Sequence, residues 1–128
     1  MNSAIYPVII SPDVDGYVVH IPDFNSGTQG GTIAEAIFMA KDAIGLLGIT
    51  KEDDGRPIPK PSTTEPAHEP GEMVAWVDVD FKRYRLMNDQ KSVRVNVSLP
   101  RYLKALGEEA GINFSRELQE RLIEKLAV

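Results

Sequence analysis

The chain has 128 residues, 42% of them hydrophobic and 26% charged, and no apolar run near the roughly 20 residues that a helix needs to cross a bilayer, so neither disorder nor a membrane protein is suggested. With no cysteine and only two well-separated histidines, His20 and His68, neither a disulfide nor a thiolate or histidine metal site is expected, and no cofactor is implied. The net charge of -5 is uneven: residues 1–90 hold seven Lys and Arg against fourteen Asp and Glu, a balance of -7, while residues 91–128 hold seven against five, +2. An acidic body and a mildly basic tail imply two surfaces with different partners. The start of the chain lacks the basic-then-apolar pattern of a secretory signal, so a cytoplasmic protein is expected.

Residues 4–10 (AIYPVII) and 17–22 (YVVHIP) are rich in strand formers, and the Asp15-Gly16 pair between them is a hairpin signal, because both residue types tolerate positive φ. Pro7 has no N–H to give to a ladder, which puts the first strand at an edge or turns that side outward. A polar loop, DFNSGTQGG, allows a short third strand near Thr28. Thr32 then caps a helix and Glu35 answers it from the third helical position. The spacing predicts that helix over about 33–47, with Ile33, Ile37, Ala40, Ile44 and Leu47 in one stripe on the sheet. Phe38 falls on the opposite side, either partly buried under a neighbouring loop or in contact with another chain.

Five of the nine prolines lie between residues 57 and 70, which favours a stiff, extended strap. Residues 73–81 (MVAWVDVDF) alternate as a strand, and the polar residues 82–92 read as a hinge. In the tail, Val93, Val95, Val97 and Leu99 point one way from a strand while Arg94, Asn96 and Ser98 point the other. Pro100 opens a helix running to about Ala110 that carries Leu103 and Leu106. Gly111 suits its C-terminal cap, and Ser115 is placed to cap a second helix with Leu118 and Leu122.

One strand and two helices in under 40 residues cannot enclose a core, and the strand's unpaired edge is a liability. Two copies pairing strand to strand remove both defects. Val93, Val95, Val97, Leu99, Leu103, Leu106, Leu118 and Leu122 then form a dimer core, and a two-stranded ribbon displays Arg94, Asn96 and Ser98 twice. Such a ribbon fits the major groove of double-stranded DNA, where these side chain types read base edges. Amides around Phe114, Ser115 and Arg116, at the start of the second helix, are placed to clamp a phosphate. This tail resembles the ribbon-helix-helix repressors. The alternative is a tail that only oligomerises, its polar strand face merely solvated.

Over nearly its whole length the chain resembles the HicB-family antitoxins of type II toxin–antitoxin systems. The resemblance is carried by YPVII, DGYVVHIPDF, TQGGTIAEAIFMAKDAIGLL, DGRPIPKPS and VNVSLPRYLKALGEEAGINFSRELQERL. Many members have Pro-Gly-Cys where this chain has Asn25, Ser26 and Gly27. The resemblance implies an α+β protein: a ββ(β)αβ domain over residues 1–81, similar to a cut-down ribonuclease H fold, a hinge over 82–92, and a dimeric ribbon-helix-helix domain over 93–128. It also implies a function, the masking of a small mRNA-cleaving HicA-type toxin together with binding of operator DNA to repress the chain's own operon, as a dimer or as a tetramer of two dimers. No chemistry is required of such a protein. Asp13, Asp15, Asp23, Phe24 and Phe38 are the candidate toxin contacts.

An enzyme reading starts from Asp13, Asp15, Asp23 and Glu35, since converging carboxylates can hold Mg²⁺ for phosphodiester cleavage. Each of these already has a structural role in a turn, a strand end or a helix cap, and fold analogy does not confer activity.

Overall fold

The computed structural model describes residues 3–128, which divide into one compact unit ending at Lys91 and a second, Ser92–Val128. In the first unit, strands β1 (Ser3–Asp13), β2 (Gly16–Ile21), β3 (Ser26–Gly30) and β4 (Met73–Asp80) form an antiparallel sheet in the order β3-β2-β1-β4. Helix α1 (Ile33–Asp53) covers one face, and α2 (Phe81–Asn88) follows β4. The second unit holds α3 (Arg101–Glu109) and α4 (Phe114–Leu126).

The hairpin between β1 and β2 forms, but its two central residues are Val14 and Asp15, and Gly16 faces Asp13 across the ladder. Glycine is needed at 16 for another reason: a Cβ there would meet the Gly30 carbonyl oxygen at 2.5 Å. Strand β1 is interior and not an edge. Pro7 pairs only with Trp76 of β4, because the ladder with β2 begins at Ile9, so its missing N–H breaks no bond to β2. Asn25 takes the left-handed conformation (φ 47°) that turns the chain from a one-turn helix at Pro22–Phe24 into β3.

Tyr6, Val8, Ile10, Val19, Ile21, Val77 and Val79 line the buried sheet face, and α1 lays Ala36, Ala40 and Ile44 against it. Ala40 and Ile44 of the predicted stripe are buried there and Ile37 and Leu47 pack at its margin, while Ile33 at the helix start is exposed and Ala36 joins the buried set. Ala36 and Ala40 allow the helix to approach the sheet closely at its N-terminal half. The same device joins α1 to α2, where the rings of Tyr84 and Phe81 occupy the space that side chains on Gly45 and Gly48 would fill. Residues 82–88, read from sequence as part of a hinge, are thus helical. Asp80 accepts the Arg83 N–H at 3.0 Å to cap α2, and Arg85 bridges Glu52 and Asp53 at the end of α1.

The proline-rich strap is fixed to the body by side chains. The Tyr6 hydroxyl donates to the Pro59 carbonyl at 2.7 Å, Ser62 donates its N–H and hydroxyl to Asp23, and the Ser11 hydroxyl donates to Glu72. That last bond, with the Glu69 N–H beside it, holds the Glu72 carboxyl below its usual range.

Candidate functional site

The hairpin turn puts Asp13 and Asp15 in solvent, and the start of α1 brings Glu35 to the same cleft, lined also by Tyr17, Gln29 and Met39. Asp13 accepts the Val14 N–H at 2.8 Å, so it shapes its own turn. Three of the four carboxylates considered for metal chemistry thus share a cleft, while Asp23 is held by Ser62 elsewhere. Among the described residues no group of three Asp, Glu or His side chains is arranged to hold a metal ion.

Phe24 is not a surface contact. It is buried, edge-on to the Tyr6 ring with 5.0 Å between centroids, because the one-turn helix folds it back over the end of the sheet. Asp23 is also less free than its loop position implies, since its carboxylate accepts both bonds from Ser62. Phe38 is 67% exposed and borders a groove with Val79, Tyr84 and Met87. On the other face of the sheet, Ile5 and Trp76 form a second apolar patch beside Pro61 of the strap. The sequence reading does not single out either surface beyond Phe38: Trp76 stands there only as one of an alternating set in a strand, and Met87 only in the hinge. Exposure of an alternating face is the signal that would have found it.

In the second unit, residues 93–99 have no hydrogen-bonded partner strand among the described residues, and Arg94, Asn96 and Ser98 are exposed along with the valines between them. A strand needs a neighbour to satisfy its backbone, and a single chain offers none. Every Val, Leu and Ile from Val93 to Val128 is 39–78% exposed. Gly107 is the one buried residue here, packed by the Phe114 ring, which a Cβ would meet at 2.6 Å. Asn113, and not Ser115, caps α4: its side chain accepts the Arg116 N–H at 3.1 Å. That amide is therefore committed to the cap and unavailable to a phosphate, and the Arg116 side chain pairs with Glu120 at 3.3 Å.

The arrangement is that of known antitoxins. A toxin–antitoxin complex from Streptococcus pneumoniae contains a chain that shares the fold, with a TM-score of 0.56 and 24% identity over 96% of this chain and 99% of that one. The antitoxin HicB of Burkholderia pseudomallei is similar, with a TM-score of 0.51 and 26% identity over 96% and 98%. In sequence, an uncharacterised 14.9 kDa protein from the rep-hol intergenic region of Haemophilus phage HP1 is 33% identical over 105 residues, covering 77% of this chain and 75% of that one. The sequence profile of the HicB-like antitoxins of bacterial toxin–antitoxin systems matches residues 6–117, and the chain belongs to that family.

Proposed function

We propose that this antitoxin neutralises a HicA-type, RNA-cleaving toxin with its acidic body, and that its tail dimerises to bind operator DNA and repress its own operon. The single observation that carries the tail reading is the exposure of every Val, Leu and Ile in Ser92–Val128. So much apolar surface on so short a segment calls for a partner, and a second copy offers the same faces in return. Pairing residues 93–99 of two chains buries the valines and Leu99 and leaves Arg94, Asn96 and Ser98 on a ribbon of the width that enters a major groove.

The body's balance of -7 supports the other half. A protein that cleaves RNA must present a basic surface to phosphates, and an acidic body is attracted to that surface and masks it without chemistry of its own. The test is a gel shift on the DNA upstream of the gene, with the wild-type chain, Arg94→Ala and Asn96→Ala. Arg94→Ala is expected to cost about 1–3 kcal/mol of operator affinity while the dimer survives, and binding weakens steeply with salt. Unchanged shifts with both variants would leave the tail as an oligomerisation device only. For the toxin half, co-expression of this chain with a HicA-type toxin is expected to restore the growth that the toxin alone arrests.

A further inference from the structure

An end strand presents a row of unpaired backbone N–H and C=O groups, and folded proteins usually blunt such rows. Strand β4 ends the sheet and pairs with β1 over all eight residues, Met73–Asp80, with neither a bulge nor a proline. Its guard is Lys41 of α1, whose ammonium sits 3.1 Å from the Asp78 carboxylate. Both side chains are largely in solvent, so that pair is readily displaced.

Apolar grooves flank this edge on both faces of the sheet. Phe38 and Met87 line the one beside α1 and α2, Ile5 and Trp76 the one on the opposite face, and Asp78 borders both. Those four apolar side chains are 46–67% exposed. Successive residues of an extended strand point to opposite faces, so a strand added to β4 would seat its side chains in both grooves at once. We infer that the free edge of β4 receives an extended strand of a partner protein, one that alternates apolar residues and sets a lysine or arginine against Asp78.

Charge selects the partner. Two copies of β4 paired antiparallel would bring both Asp78 and both Asp80 side chains onto one face, where like charges oppose pairing. A basic strand meets the reverse situation. The inference rests on the toxin-masking reading for the identity of that partner and assigns the surface on which the masking takes place.

The experiment is hydrogen exchange on the full chain, alone and with a HicA-type toxin, together with affinities for Asp78→Lys and Phe38→Ala. Complex formation is expected to slow exchange of the outward amides of residues 73–80. Each variant is expected to weaken binding about ten-fold or more, with its circular dichroism unchanged. Phe38 lies on an exposed helix face, so its variant keeps the test decisive if Asp78→Lys fails to fold. A tight complex with unaltered exchange over 73–80 and unaltered affinities would overturn the inference and leave the antitoxin reading standing. No binding by the wild-type chain would remove both. Protection of 73–80 that grows with concentration of the chain alone would assign the edge to a second copy and overturn the inference as well.

Discussion

Phe24 follows an aspartate in a polar loop and closes the core, a position that no local pattern marks, because burial in a loop depends on where the chain folds back and not on periodicity. Phe24→Ala is expected to destabilise the body by about 3–5 kcal/mol, read as a lower urea midpoint. Beside it, the Tyr6 phenol is pushed up to about 12, chiefly by burial and then by the nearby Asp23 carboxylate. In the unfolded chain a tyrosine ionises near 10.0. The buried neutral ring therefore stabilises the fold in full below pH 10 and loses that contribution as pH rises towards about 12. Alkaline titration of unfolding should show this loss in the wild type and a smaller one in Tyr6→Phe. At neutral pH that variant gives up the bond to Pro59, about 1 kcal/mol.

At the scale of elements, the strands and α1 were legible, since period-two runs and a Thr32 cap mark them directly. The buried stripe of α1 was legible at Ala40 and Ile44, but not at Ala36, which packs beside them, nor in the exposure of Ile33 at the helix start; what a helix presents to a sheet is set by the distance between two elements and not by either alone. The missing α2 has the same origin: its polar residues look like a linker, and what folds them is the fit of Phe81 and Tyr84 over Gly48 and Gly45. Gly48→Ala is accordingly expected to destabilise by about 1–3 kcal/mol, since the clash with Phe81 outweighs alanine's better helix propensity. Thermal unfolding measures it, and a higher midpoint would show that the ring moves aside freely.

For the molecule as a whole, charge asymmetry and the alternation in VRVNVSLP pointed to two surfaces before any fold was known, and the proposed division of labour follows that line. The residues on each surface were less legible. Arg116 donates its amide to a cap that Asn113 provides, and the β4 edge becomes visible only once the strand order is known. A tail that folds by pairing should show stability that depends on protein concentration. Leu118→Asp is expected to give a monomer by sedimentation, with operator binding lost. Trp76 is the only indole in the chain, and half of it lies in solvent on β4. Its emission is thus a built-in optical reporter for that strand: a protein seated there would shift the spectrum to the blue, so one titration in a cuvette can follow that event without any added label.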